Sequence, residues 1–359
     1  MPKISLSFTL LIFFFLKGLW ILPFLEGILF YMLLLSMIIM LFLSYIVSDT
    51  YLLKTNPHQN DYEILCTSQY LVLFVGLTYL IISGFPMLSE EPHVAKLQVS
   101  QYPILIHLFR NGSIFIALWL IIARVRVGAI NNYLYLCMII SILTAFKGYV
   151  VPYILLYIYV NQKSNFTFGK VALLFLVIVI TIEILFGKYG GLSIDGFTYI
   201  FNRLTEGQIA GSIVLMDNYQ YIDYVPLVDD IFVLLGKFFD SEVLSLQQEL
   251  YQIYHSDVRL LELSNLWFLE LYLFLGGLAL LVVFLIVPPL YYLYKALFKS
   301  TLSRVFIIYS ILPMADGVMN GKIFYKFMDY ILSALIIFFL AFIASKIILF
   351  IRAGIAYGK

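Results

Sequence analysis

Ten long apolar segments, separated by polar connections, constrain what this chain of 359 residues can fold into. A helix needs roughly 20 predominantly apolar residues to cross the hydrocarbon core of a bilayer, and most of the segments approach that length. The composition agrees, because 63% of the residues are hydrophobic and only 12% are charged. A soluble domain carries about 25% charged residues. The sequence therefore predicts an all-α integral membrane protein.

The ten predicted transmembrane helices cover most of the chain, which we treat as one polytopic membrane domain of residues 1–359. The first helix is expected to be a retained signal anchor, because no small-x-small cleavage site follows it. The ten helices lie at roughly 5–22, 26–47, 66–87, 103–123, 129–146, 148–162, 171–187, 266–290, 303–319 and 328–350.

The distribution of basic residues predicts the orientation. With a cytoplasmic amino terminus, eleven Lys and Arg residues fall in the cytoplasmic short loops and helix ends, and five fall on the opposite side. Such an excess marks the cytoplasmic face, so both termini are expected inside. The one large loop, about 188–265 between the seventh and eighth helices, is then extracytoplasmic. Within it, 226–239 and 243–262 have apolar residues at helical spacing, which predicts short amphipathic helices.

The fourth predicted helix carries an unusual polar group. His107 and Arg110 are three residues apart and share one helix face, and Asn111 and Ser113 follow. A charge within a span is costly and marks a candidate functional site. Two interpretations stay open at this point, contact with a ligand and a buried structural network.

Two further cations are expected on the outer side. Lys147 lies at the tip of the tight hairpin between the fifth and sixth helices, beside Gly148. Arg203 lies early in the large loop, and its guanidinium fork suits bidentate contact with phosphate oxygens. Each could be an ordinary surface charge, but together with Arg110 they favour an anionic ligand at the membrane surface.

The sequence lacks several motifs that are typical of metal, nucleotide or hydrolase sites. The four histidines show no HxxxH or HExxH spacing, and Cys66 and Cys137 cannot build a CxxC site, so neither a metal nor another cofactor is expected. There is no Walker loop, no GxGxxG before a helix and no GxSxG elbow. The net charge of +1 gives no indication of nucleic acid as a partner.

The order of features resembles the bacterial Wzy-type polymerases of O-antigen and capsule. Residues 143–148, Leu-Thr-Ala-Phe-Lys-Gly, are similar to that family's Leu-Thr-Gly-Ser-Arg/Lys-Gly hairpin, with Ala145 and Phe146 in place of the small pair. A helix and a large outer loop with an early arginine follow, matched by Arg203. After the loop, residues 265–277 resemble the family's aromatic-x-x-Glu-aromatic-x-x-x-Gly opening of the next helix, which places Glu270 near the outer mouth.

The resemblance implies a metal-independent glycosyltransferase in the bacterial inner membrane. It would join oligosaccharide repeat units carried on undecaprenyl pyrophosphate, with the bilayer, a chain-length regulator and a flippase of the same pathway as further partners. Two other functions stay open: an O-antigen ligase, which uses the same donor, and a non-catalytic flippase or transporter of lipid-linked sugars. The sugars, the linkage and the choice between capsule and O-antigen are not encoded in recognisable motifs.

The implied reaction assigns roles to particular residues. Cations would stabilise the departing diphosphate, and a base would take the proton of the acceptor hydroxyl. The expected cations are Arg203, Arg110 and Lys147. The base candidates are His107, Glu206, Asp217, His255 and Asp316. The expected substrate contacts are Arg203, Glu206, Glu270 and Arg259.

Overall fold

The computed structural model of the chain is mainly helical in the residues that it describes. These residues are 5–25, 27–46, 59–89, 103–144, 150–161, 210–221, 232–233, 246, 249–250, 253, 266–276, 278, 289, 292, 301–321 and 323–357. No strand occurs among them. The all-α prediction is therefore confirmed for this part of the chain.

In the described residues, nine helices, α1 to α9, lie over nine of the ten predicted segments, and a further helical stretch covers 210–218. The seventh predicted helix, 171–187, lies outside the described residues, as does most of the loop 188–265. In chain order the helices are Leu6–Ile21, Gly27–Ile46, Gln59–Ser83, Pro103–Ile122, Val127–Leu143, Val150–Asn161, Trp267–Leu275, Thr301–Asn320 and Ile323–Tyr357.

Within the described residues, three helices are long and apolar enough to cross a membrane. They are Glu63–Leu88 with 26 residues, Ile104–Ile122 with 19 and Tyr325–Ile351 with 27, which correspond to α3 with its short extension, α4 and α9. Helices α1, α2, α5 and α6 contain shorter apolar stretches. The total of ten spans stays a prediction.

The eighth predicted span, 266–290, is interrupted. Helix α7 ends at Leu275, and Gly276 follows with a φ of 57°, in the left-handed region that favours glycine. Hydropathy alone could not detect this end, because apolar residues continue on both sides of the glycine.

Helix α4 is the centre of the bundle. It contacts α3, α5, α6, α8 and α9, and every residue from 111 to 120 is buried. Residues 114–122 of α4 are apolar all round, as expected for a helix in such a central position. Helices α3 and α9, by contrast, expose large side chains such as Phe74, Ile81 and Phe350, as expected where a helix faces lipid.

Glycines allow close packing around α4. A Cβ added at Gly112 would lie 2.8 Å from Ile337 Cγ1 of α9 and 3.4 Å from Val72 Cγ2 of α3. A Cβ at Gly76 of α3 would lie 2.5 Å from Phe109. Small residues at helix crossings let the backbones approach, which is the usual basis of helix association in lipid.

The contacts fix the relative direction of the helices. Asn111 and Trp119 of α4 contact Ser333 and Phe338 of α9 respectively, so the two helices run parallel. Helix α8 runs antiparallel to both and joins α9 through Gly321, whose φ is 75°. The amino-terminal ends of α4 and α9 therefore lie at the same end of the bundle. The predicted orientation would make that end extracytoplasmic.

Candidate functional site

Two parallel helices bring polar side chains together within the apolar bundle. On α4, His107, Arg110 and Asn111 lie at helical positions i, i+3 and i+4, which share one face. On α9, Asp329 and Ser333 are four residues apart and form the matching face. Because α4 and α9 begin at the same end, these residues lie at similar depth, roughly 6–15 Å along the helix axes from the first turns.

Asp329 is the centre of this group. Three donors from α4 converge on a single carboxylate oxygen, Oδ2: His107 Nδ1 at 2.9 Å, Arg110 Nη2 at 2.9 Å and Asn111 Nδ2 at 3.0 Å. A carboxylate removed from water is tolerated only when it is paired and hydrogen-bonded, and Asp329 meets both conditions. We call His107, Arg110, Asn111, Asp329 and Ser333 the Asp329 cluster.

Arg110 is held on several sides. Its Nε donates to Asn111 Oδ1 at 2.7 Å, its Nη2 donates to Asp329, and its guanidinium carbon lies 5.2 Å from the centre of the Tyr330 ring. Asn111 Nδ2 in turn lies 3.3 Å from Ser333 Oγ. The planar fork of arginine suits such simultaneous contacts, which fix the position of the charge.

Buried hydroxyls bind the backbone around the Asp329 cluster. Tyr309 of α8 lies with its hydroxyl 2.9 Å from the carbonyl of Asn111 and 3.2 Å from that of Tyr330. Ser113 donates to the carbonyl of Arg110 at 2.9 Å and is also hydrogen-bonded to Tyr153 of α6. These contacts connect α6, α8 and α9 to the turn of α4 that carries Arg110.

The Asp329 cluster is only partly enclosed by protein. The side chains of His107, Arg110 and Asp329 are 23%, 16% and 11% exposed, whereas Asn111 and Ser113 are completely buried. The ion pair balances one positive and one negative charge. His107, the most exposed of the three, can meet a molecule that reaches this end of the bundle.

The chemical capacity of the Asp329 cluster follows from the contact to His107. When Nδ1 carries the proton and donates to Asp329, Nε2 carries the lone pair. A histidine oriented in this way by a carboxylate can accept a proton from a hydroxyl, and the carboxylate stabilises the imidazolium that forms. The arrangement is thus able to act as a general base next to a fixed positive charge.

Asp316, a predicted base, lies in a different ion pair. Its Oδ2 is 2.9 Å from Lys326 Nζ, and the pair connects α8 to α9 across the turn at Gly321. Asp217 lies in a helical stretch over 210–218 and is exposed.

Glu270 lies in the first turn of α7 and is buried, with only 1% of its surface exposed. Helix α7 packs against α2 and α8. The family resemblance predicts that Glu270 lies near the outer mouth, where an ionised side chain is easier to accommodate. Its burial within the bundle favours a structural contact.

Five predicted site residues lie outside the described residues, so the structure does not place them relative to the Asp329 cluster. They are Lys147, Arg203, Glu206, His255 and Arg259. Among the described residues, no group of three or more His, Cys, Asp or Glu side chains could hold a metal ion.

Sequence reasoning missed Asp329 and Lys326 as site residues. Asp329 is the second residue of the predicted tenth span, and its contact with His107 joins residues 222 positions apart. One signal was available, since Asp329 is the last acidic residue of the chain and Lys326 precedes it by one helical turn.

Comparisons with protein-family models, with curated proteins and with solved structures found no match to this chain.

Proposed function

We propose that this chain is a Wzy-type polymerase, an inner-membrane glycosyltransferase that joins oligosaccharide repeat units carried on undecaprenyl pyrophosphate. The observation that carries the proposal is the hydrogen bond between His107 and Asp329, next to Arg110, on the central helix of an apolar bundle. The family resemblance supplies the reaction, and the Asp329 cluster supplies a base of the kind that the reaction needs.

The proposed step is a single displacement at the anomeric carbon of the donor sugar. The acceptor hydroxyl oxygen forms the new bond to that carbon while its proton passes to His107 Nε2. The bond between the anomeric carbon and the diphosphate oxygen breaks, and the diphosphate leaves with the electron pair. Asp329 stabilises the imidazolium.

In this proposal, the remaining cations stabilise the negative charge of the leaving diphosphate. Arg203 and Lys147, from the outer loop and the hairpin tip, would contact the diphosphate, and Glu206 and Arg259 would contact the sugars. Arg110 would contribute a fixed positive potential rather than a flexible contact, since Asp329 and Asn111 already hold its fork. We place the reaction on the periplasmic side, with both termini in the cytoplasm.

The test is the surface glycan of a deletion strain complemented with variants. Under the proposal, the deletion leaves a single repeat on the acceptor, and His107→Gln at wild-type protein level reproduces that phenotype. Glu270→Gln, which keeps shape and hydrogen bonding, is the matched control and should retain substantial polymer. Long chains that stay on the carrier lipid would identify a ligase, and the absence of any extracellular repeat would identify a flippase. Either result would overturn the proposal.

A further inference from the structure

A second ion pair lies near the Asp329 cluster and is not used by the proposed base. Lys326 Nζ lies 2.9 Å from Asp316 Oδ2 and 3.4 Å from the backbone carbonyl of the same residue. The side chains of Lys326 and Asp316 are 19% and 25% exposed. Lys326 is in the first turns of α9, three residues before Asp329, so both side chains lie on the same face of that helix.

The two ion pairs differ in how readily an incoming anion could replace the carboxylate. Lys326 is a flexible point charge that meets one carboxylate, and at 25% exposure the side chain of Asp316 is the most exposed of the four in the two ion pairs. Arg110 is bound through two nitrogens and lies over Tyr330, so releasing it from Asp329 would break several contacts. An anion that reaches this end of the bundle would therefore compete more easily for Lys326.

The surroundings of Lys326 favour an anion once Asp316 is displaced. The guanidinium of Arg110 lies on the facing helix, one turn deeper along α9, where Asp329 balances its charge. The amino-terminal ends of α4 and α9 lie at the same end, and their backbone dipoles add positive potential there. Phosphate groups are recognised by such combinations of lysine, arginine and backbone.

We propose that Lys326 binds the diphosphate group of a lipid and that Asp316 is its resting counter-ion, displaced when the diphosphate arrives. The inference rests on the proposed function, because it names a residue that would hold the leaving group. It changes the role first expected of Asp316 from base to counter-ion.

Binding of farnesyl diphosphate to the purified full-length protein in phosphatidylcholine nanodiscs tests this inference. Lys326→Met should weaken binding by about tenfold or more, since it removes a charged hydrogen bond. Lys346→Met, on the same helix but 20 residues away, is the matched control and should bind like the wild type. Asp316→Asn should bind more tightly, because the counter-ion no longer competes.

Two further binding measurements show which phosphate compound the site prefers. Inorganic pyrophosphate should bind more weakly than farnesyl diphosphate but with the same dependence on Lys326, and phosphatidylglycerol in the nanodiscs should not compete. Competition by phosphatidylglycerol would assign the site to a bilayer headgroup and overturn the inference. If Lys326→Met fails to fold, the charge-balanced double variant Asp316→Asn/Lys326→Met replaces it.

The inference is overturned if Lys326→Met binds as tightly as the wild type, if the double variant binds as tightly as Asp316→Asn alone, or if the unaltered protein does not bind. Unchanged or weaker binding by Asp316→Asn would overturn the counter-ion role. The glycan phenotype is a separate readout, so the two proposals can fail independently. Lys326-dependent binding in a chain whose deletion leaves the glycan intact would reject the polymerase and keep the lipid diphosphate site.

Discussion

The Asp329 cluster and the α5–α6 hairpin both contain polar side chains within an apolar bundle. The two regions differ in how these side chains are hydrogen-bonded. In the hairpin, the side-chain amides of Asn131 and Asn161 exchange two hydrogen bonds, at 3.1 and 2.9 Å. One turn away, the hydroxyls of Tyr135 and Tyr157 are 2.8 Å apart. This ladder is neutral and reciprocal, whereas the Asp329 cluster directs three donors to one oxygen and contains full charges.

Under the proposed function, the difference separates a structural role from a chemical one. A neutral amide pair satisfies itself and can join two helices without any further partner. A charged group within a membrane is much more costly and is retained where it acts on something. The two regions also lie at opposite ends of α4, because a four-residue connection at its carboxyl end, 123–126, leads directly to α5.

The largest expected effect is that of Asp329→Ala. The substitution leaves Arg110 buried without its counter-ion, so the free energy of unfolding should fall by about 3–5 kcal/mol. Thermal unfolding of the purified protein in detergent measures the change. Asp217→Ala, at an exposed position, is the control and should change stability little. A loss below about 1 kcal/mol for Asp329→Ala would show that the carboxylate does not balance a buried charge.

A smaller loss is expected from Gly112→Val, which adds side-chain volume where α3, α4 and α9 meet. Even a Cβ at this position would be 2.8 Å from Ile337, so the helices must separate, at a cost of about 1–3 kcal/mol. Under the proposed function, the variant should also make less polymer, because Asp329 moves away from α4. Gly128→Val is the control, since a Cβ there meets nothing within 4 Å. Equal effects of the two substitutions would argue against close packing at the Asp329 cluster.

The hydrogen-bonded amides of Asn131 and Asn161 should be replaceable by apolar side chains. The double variant Asn131→Leu/Asn161→Leu removes both polar groups together, and its free energy of unfolding should change by only about 0.6 kcal/mol, the average value for polar contacts between membrane helices. Glycan length should stay normal. A shortened glycan at wild-type protein level would show that the hairpin contributes to function and that the contrast between the two regions is wrong.

A small gain in stability, rather than a loss, is expected at the turn between α4 and α5. Arg124 has a φ of 56°, and its position after α4 is one where glycine is the common residue. Arg124→Gly should raise the free energy of unfolding by about 1 kcal/mol, because the left-handed conformation is costly for a residue with a Cβ. Chemical denaturation is sensitive enough to measure this. A loss of stability would mean that the arginine side chain contributes more than its backbone conformation costs.

Part of the fold and of the candidate site could be predicted from the sequence, because these parts depend only on residues close together in the chain. His107 and Arg110 could be assigned to one face because their spacing matches the helical period. The apolar runs predict α4 within one residue, whereas α9 begins five residues before and ends seven residues after the predicted 328–350. Asp329 could not be assigned as their partner, because nothing in a single sequence relates the registers of two helices so far apart. The end of α7 at Gly276 was missed for a related reason, since hydropathy does not record backbone conformation.

The central claim is that the charges of the Asp329 cluster serve chemistry rather than folding. The double variant Arg110→Met/Asp329→Leu tests it most directly, because replacing a whole buried ion pair by apolar residues is often neutral or stabilising. Glycan length and melting temperature would be measured on the same preparations. We predict a melting temperature at or above that of the wild type together with a glycan of a single repeat. Polymer of normal length made by this variant would contradict the account.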